Sequence, residues 1–166
     1  MARKSKSSST SRARSRHPDA IGLLKADHRQ VEGWFSQFSK SKNRQKQQQL
    51  AAHICDALIT HSTIEEEIFY PAFLEATGDK DAHHEAVVEH AGAKKLIAEI
   101  QAMSPEDDYY DAKVTVLSEM IKHHVKEEER PGGMFSEARK SDMDLPALGE
   151  QLLARKRELQ ATAEAA

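Results

Sequence analysis

The chain has 166 residues, with 24 Lys and Arg, 27 Asp and Glu and a single cysteine. That length fits one domain, and one cysteine excludes an internal disulfide framework. No run approaches the roughly 20 consecutive apolar residues of a membrane-spanning helix, and no apolar secretion signal stands at the N-terminus. We therefore expect a cytoplasmic protein. Few Gly and Pro, together with many helix-forming residues, predict an all-α fold.

The first sixteen residues form a basic tail that we expect to be disordered. They hold six Lys or Arg, no acid and seven Ser or Thr. Such a segment has too little apolar surface to offset the entropy of ordering. The remainder then carries 18 basic and 27 acidic residues, a formal charge of −9. Such a charge opposes binding to nucleic acid.

Four segments carry apolar residues at the three- and four-residue spacing of a helix with one buried stripe. They start near Pro18, after "KSKNRQKQQQ", near residues 79–81, and at "SPED", where Ser104 is the predicted N-cap. Pro71 and Gly78 should kink or end the second helix, and "RPGG" ends the fourth. Short connections predict an antiparallel up-down-up-down four-helix bundle over residues 17–135. Residues 136–166 form a C-terminal extension with a shorter amphipathic helix.

Each of the four predicted stripes includes a histidine, and two of them include a glutamate one turn later. "HSTIEEE" begins at His61 and "HVKEEE" at His124, sixty-three positions apart, so the chain resembles one helical hairpin used twice. Two such hairpins packed face to face bring corresponding positions together. The predicted inward-facing polar residues are His28, His61, Glu65, His90, His124 and Glu128.

These residue types at this spacing point to a site for two divalent cations. A His and a Glu four residues apart lie on one helix face, and two buried carboxylates side by side repel each other unless a proton or a cation lies between them. Imidazole together with carboxylate suits metals such as iron. Taken singly, each histidine is more often a hydrogen-bonded core residue, so a metal-free interaction bundle stays as the alternative. A ferritin-like oxidase is disfavoured, because no histidine has Glu three residues before it.

Together these motifs resemble the hemerythrin-like family, also called the HHE cation-binding domain, over about residues 17–135. The motifs are "ADHR" around His28, "HSTIEEEIFYP", "VEH" at His90 and "HVKEEE". The resemblance implies a non-haem di-iron centre held by the six residues named above, with both glutamates as bridges. It also implies binding of, or response to, O2, NO or peroxide, or a role in iron handling, as in stress response or iron–sulfur repair. The resemblance leaves enzyme activity open and assigns no catalytic residue.

One departure concerns the third helix. Oxygen-carrying hemerythrins have an HxxxH pair there, but Ala86 stands four residues before His90. One metal is then either less saturated or takes up water or a neighbouring side chain, for which His84, Glu85 and Glu89 are the candidates. We further expect Asp27 and Glu89 to orient imidazoles on neighbouring helices, whereas Glu66 and Glu129 suit either hydrogen bonds or solvated helix faces. Phe69, one turn past Glu65, is expected to keep water from the metals.

Overall fold

The computed structural model describes residues 17–165, and within them every regular element is helical. The predicted all-α class is confirmed, while the predicted basic tail lies outside the described residues. The elements are α1 Ala20–Lys40, α2 Arg44–Ile64, a π-helical turn Glu65–Phe69, α3 Tyr70–Thr77, α4 Lys80–Gln101, α5 Tyr110–Glu129, α6 Met134–Lys140 and α7 Leu145–Ala165. No helix in this part of the chain is both long and apolar enough to cross a membrane.

Helices α1, α2, α4 and α5 form the bundle, and each contacts the next in a closed cycle that returns from α5 to α1. Two apolar clusters fill the interior. One is centred on α1 and α2 residues such as Phe35 and Ile54, and the other on residues such as Leu24 and Phe73. Along α1 the first cluster follows His28 and the second precedes it, so the histidines lie in a polar layer between two apolar layers.

The second helix does not end at Pro71 but passes through the π-helical turn and continues to Thr77. The Tyr70 backbone N–H donates to the Glu65 carbonyl, five residues back. Pro71 has no N–H to donate, and the wider turn removes the need for one at that point. The helix ends instead at Gly78, whose φ of 69° lies in the left-handed region that favours glycine.

The prediction that Ser104 caps the fourth helix was wrong, because α5 begins at Tyr110. Ser104 and Asp107 instead form a local turn in which the Ser104 N–H donates to the Asp107 carboxylate at 2.8 Å. The Asp107 N–H donates back to the Ser104 carbonyl at 3.0 Å. Short polar side chains that bond nearby backbone compete with helix formation, and here the turn is favoured.

The segment after the bundle folds as two further helices rather than one. α6 follows the "RPGG" break, and α7 is as long as α1, at 21 residues, so the prediction of a shorter helix was wrong. α7 packs on α1, α2 and the π-helical turn. A Cβ on Gly149 would lie 2.7 Å from the Pro18 carbonyl oxygen, so glycine permits this close approach of α7 to the start of α1.

Candidate metal centre

The polar layer brings the six predicted side chains together. Each is at most 6% exposed, and Glu65 is fully buried. Possible ligand atoms of His28, His61 and Glu65 lie within 4.8 Å of one another, and so do those of Glu65, His90 and His124. The layer therefore contains two groups of donor atoms that share a carboxylate.

The histidines form two pairs, each joined through Nε2 atoms. The Nε2 atoms of His28 and His61 are 3.1 Å apart, and those of His90 and His124 are also 3.1 Å apart. Each pair comes from one helical hairpin, in agreement with the internal repeat. The two pairs define two half-sites within the polar layer.

Both glutamates span the two half-sites. One oxygen of Glu65 lies 3.2 Å from His61 Nε2, and its other oxygen lies 3.3 Å from His90 Nε2. One oxygen of Glu128 lies 3.4 Å from His28 Nε2, and its other oxygen lies 3.5 Å from His124 Nε2. Each half-site thus has two imidazole nitrogens and one oxygen from each carboxylate.

Tyr70 is a member of this centre that the sequence analysis missed. Its hydroxyl donates to Glu128 Oε1 at 2.9 Å and to Glu65 Oε2 at 3.2 Å, and it lies 3.2 Å from His90 Nε2. The phenol therefore occupies the half-site of His90 and His124 only, and the two half-sites differ. Burial and the two carboxylates raise the pKa of Tyr70 well above its usual value, so the hydroxyl keeps its proton in the metal-free chain.

The π-helical turn explains the position of Tyr70. In an α-helix, a residue five positions after Glu65 is rotated by roughly 140° from it, on another face. A π turn closes at five residues instead of four, which brings Tyr70 back to the face of Glu65. Phe69, expected one turn past Glu65, is displaced into the apolar cluster, where its ring meets that of Phe135 at 5.7 Å.

Every imidazole of the centre is bonded at its outer nitrogen, Nδ1, to an acid on another helix. Each acid stands next in sequence to an inward-facing residue of its own helix. Each bond joins one bundle helix to the next, and the four bonds together form one closed cycle around the bundle. The pairs are Asp27 with His61 at 3.2 Å, Glu66 with His90 at 2.9 Å, Glu89 with His124 at 2.6 Å and Glu129 with His28 at 2.7 Å. We call these four acids the orienting acids. The expectation for Asp27 and Glu89 agrees with this geometry.

The orienting acids are themselves paired with outer bases. Lys156 of α7 contacts Asp27, Lys94 contacts Glu66 at 2.7 Å, and Arg29 contacts Glu129. Glu89 contacts the exposed imidazole of His123 at 3.2 Å. In the described part of the chain, by contrast, neither Glu65 nor Glu128 contacts a Lys or Arg. The two central carboxylates therefore lack Lys or Arg as a counter-charge.

The residues present fit a pair of cations. A neutral imidazole has one N–H, and if Nδ1 donates it to an orienting acid, Nε2 is left with a lone pair. Each Nε2 pair then brings two lone pairs within 3.1 Å. With no proton on Nε2, the described residues offer Glu65 Oε1 and Glu128 Oε2 no hydrogen-bond donor, and a buried polar atom of that kind is costly. A positive charge in each half-site removes both costs.

In the metal-free chain, protons can supply that charge. Burial disfavours the charged form of His61, but the Glu65 and Asp27 carboxylates outweigh it and raise the pKa of His61 to about 10. Burial likewise disfavours the charged form of His124, but the Glu128 and Glu89 carboxylates outweigh it and raise the pKa of His124 to about 9. One protonated imidazole thus falls in each pair, where a metal ion would compete with it.

The three additional ligands suggested from the sequence do not reach the centre. His84 and Glu85 are exposed on α4, and Glu89 points to the outer nitrogen of His124. Glu85, Glu89 and His123 form a separate group of possible ligand atoms near the surface. The neighbouring side chain that does reach the centre is Tyr70.

A bundle with paired imidazoles and shared carboxylates in its core defines a class of helical cation-binding proteins. The model of the hemerythrin HHE cation binding domain family matches residues 19–131, and the chain belongs to this family. The match covers most of the helical bundle, including all six central His and Glu residues.

Two similar proteins give the wider context. A crystal structure of a hemerythrin HHE cation binding domain-containing protein from Mycobacterium kansasii shares the fold, with a TM-score of 0.75 and 22% identity over 89% of this chain and 91% of that chain. A curated protein of Nostoc sp. named DNA nickase is 30% identical over 107 residues. Those residues are 64% of this chain but 30% of the Nostoc protein, so the chain spans less than a third of that relative.

Proposed function

We propose that the chain is a non-haem di-iron protein that binds or responds to O2, NO or peroxide, or handles iron, in stress response or iron–sulfur repair. His28 and His61 would hold one ion, His90 and His124 the other, and Glu65 and Glu128 would bridge them. Imidazole combined with carboxylate oxygen is a donor set that suits iron. Two iron ions would supply redox chemistry and binding of small ligands. We place the protein in the cytoplasm.

One observation carries this proposal: two buried imidazole pairs share two carboxylates that contact no Lys or Arg of the described chain. Four Nε2 nitrogens and four carboxylate oxygens converge on two points in the core. A purely structural core would gain no stability from that convergence. The orienting acids support the same conclusion, because histidine ligands of metals usually donate their other N–H to a carboxylate or carbonyl.

Tyr70 gives the two half-sites different roles. Its hydroxyl adds an oxygen ligand atom to the half-site of His90 and His124, and its oxygen lies 2.9 Å from Glu128 Oε1, to which it donates its proton. The half-site of His28 and His61 has no phenol, and Glu65 Oε1 and Glu128 Oε2 face it at 3.2 Å from His61 and 3.4 Å from His28. We propose that the small ligand approaches this half-site.

A metal-free interaction bundle is the alternative, and it requires the core to satisfy its own polar groups. Protonated His61 and His124 would meet part of that requirement. Glu128 Oε2 would still be buried without a donor, because protonated His61 faces Glu65 and protonated His124 faces the other oxygen of Glu128. Such a group is rare in a finished core, which argues against the alternative.

DNA nicking is named for the Nostoc protein, of which this chain spans 30%. Residues 17–166 carry 18 basic and 27 acidic side chains, and that negative charge opposes contact with a phosphate backbone. We therefore propose a small-molecule ligand and not a nucleic acid.

Metal analysis of protein purified without chelator tests the proposal. We expect about two iron ions per chain, with near-ultraviolet absorption from the centre. Glu65→Ala and Glu128→Ala should lose most of the metal, whereas Glu127→Ala should retain it, because Glu127 lies beside Glu128 but bonds Arg130 at the surface. One zinc ion per chain would overturn the assignment of two irons. Unchanged metal content in both core variants would overturn the site itself.

A further inference from the structure

A cavity of about 570 Å³ reaches from the protein surface to the four central imidazoles. Its walls come from all four bundle helices, and the last turns of α7 line it through residues such as Gln160 and Glu164. The apolar part of the wall includes Val31, Trp34, Leu58, Ala93, Ile97 and Ile121. We call this cavity the apolar chamber.

The apolar chamber is much larger than a diatomic ligand requires. O2, NO or hydrogen peroxide occupies the space of one or two waters, roughly 30–60 Å³. The chamber volume lies instead in the range of about 300–1,000 Å³ that is typical of sites for organic ligands. A path for gas molecules alone would not need a space of this size between packed helices.

The distribution of polar groups in the chamber disfavours an anionic occupant. The imidazoles lie at the inner end, and Lys94 and Lys156 lie along the wall. Both lysines are already paired, with Glu66 and Asp27 respectively. Neither is free to anchor an anion, and Asp56 and Glu164, which also line the chamber, oppose one.

We propose that the apolar chamber binds an uncharged organic molecule with an apolar body and one small polar head, such as an alcohol or an alkyl hydroperoxide. The apolar body would fill the space beside Trp34 and Ile97, and the polar head would face the imidazoles. The proposal deepens the proposed function and rests on it for any chemistry at the metals. Binding itself depends only on the walls.

The single tryptophan of the chain provides a direct test, because Trp34 lies in the chamber wall. 4-Bromobenzyl alcohol is an uncharged probe with an apolar ring and one hydroxyl, and its bromine quenches indole fluorescence at contact. We expect saturable quenching of Trp34 emission in the full-length protein as purified. 2-Bromoethanol, which carries the same quencher without the ring, should quench only linearly with concentration.

A matched pair of variants on α2 locates the binding. Ala57 is half-buried and lines the chamber, whereas Ala52 is exposed on the same helix. Ala57→Phe should weaken probe binding about tenfold, and Ala52→Phe should leave it unchanged. Thr60→Leu, also in the wall, is a second filling variant if Ala57→Phe folds poorly by circular dichroism.

Quenching without saturation, or equal dissociation constants in the filling and control variants, would overturn the proposal. Repeating the titration after chelation separates it from the proposed function. Saturable binding by the metal-free chain supports the chamber even if metal analysis finds no iron. Failure to saturate in a chain that does hold iron refutes the chamber alone.

Discussion

Replacing Tyr70 by phenylalanine removes one hydroxyl from the centre of the bundle and nothing else. Tyr70 is fully buried, and its hydroxyl donates to carboxylate oxygens of Glu128 and Glu65 at 2.9 and 3.2 Å. Glu65 is ionised there: burial opposes its charge, but His61 and His90 outweigh burial and lower its pKa well below the usual value. The variant thus leaves carboxylate oxygens without their donor.

The expected cost follows from the strength of a buried hydrogen bond to a charged group, about 1.5–3 kcal/mol. A domain of this size changes its Tm by about 2–4 °C per kcal/mol. Tyr70→Phe should therefore lower the Tm of the chelated protein by roughly 3–12 °C. Thermal unfolding followed by circular dichroism at one fixed pH measures the shift.

Tyr109→Phe is the matched control, because Tyr109 is 72% exposed and a surface substitution of this kind changes stability by about 0.5 kcal/mol or less. In the protein as purified, Tyr70→Phe should also change the absorption spectrum, since the phenol lies in one half-site. Equal Tm values for Tyr70→Phe and wild type, with identical spectra, would refute the argument that this hydroxyl belongs to the centre.

Three further predictions concern other parts of the fold. Glu89→Gln should weaken metal affinity by about 10–100-fold in a chelator competition, while Glu85→Gln, on the exposed surface of the same helix, should not. Burial raises the pKa of the Cys55 thiol to about 11. Between about pH 9 and 11 the folded state therefore keeps a proton that the unfolded chain releases. The free energy of unfolding should fall over this range, by at most ~1.4 kcal/mol per pH unit. Urea titrations should show a flatter pH profile for Cys55→Ala, and an identical profile would contradict this account. Gly149→Ala should destabilise the protein by about 1–3 kcal/mol through its backbone clash, whereas Gly33→Ala, in open space, should be neutral or stabilising by up to about 1 kcal/mol in the same titrations.

The helical class and the meeting of the central histidines could be predicted because both depend on one regular period. Each histidine shares a face with apolar neighbours three and four residues away, and that spacing holds throughout α1, α2, α4 and α5. Short connections then leave few arrangements other than antiparallel packing.

Tyr70 could not be predicted because the helix changes from the α to the π period at Glu65, the residue from which the count along the helix starts. A strict α-helical count after Glu65 selects Phe69 and rejects Tyr70. The signal present in the sequence is Pro71, which cannot donate to the preceding turn; a helix that continues through such a residue often widens or bends. The sequence pattern alone predicts only an end or a kink at that proline.

The misplaced start of α5 and the roles of Glu66 and Glu129 have a different physical origin. Ser104 and Asp107 satisfy each other in a turn, and a sequence pattern does not distinguish that turn from a helix cap. Glu66 and Glu129 bond imidazoles more than twenty residues away in sequence. Their partners are determined by how the helices rotate against one another, which local spacing does not specify.

The cycle of orienting acids couples the positions of the four imidazoles to the alignment of the helices along their axes. Asp27 and His28 are neighbours on α1, yet they serve α2 and α5 respectively through His61 and Glu129. A slide of α1 along its axis would therefore loosen imidazoles at two interfaces at once. α7 opposes such a slide, because Lys156 holds Asp27 and Gly149 seats α7 against the start of α1. We therefore expect α7, which lies outside the bundle, to restrain this slide. Shortening α7 should then speed the release of any bound metal without altering any of the six central side chains.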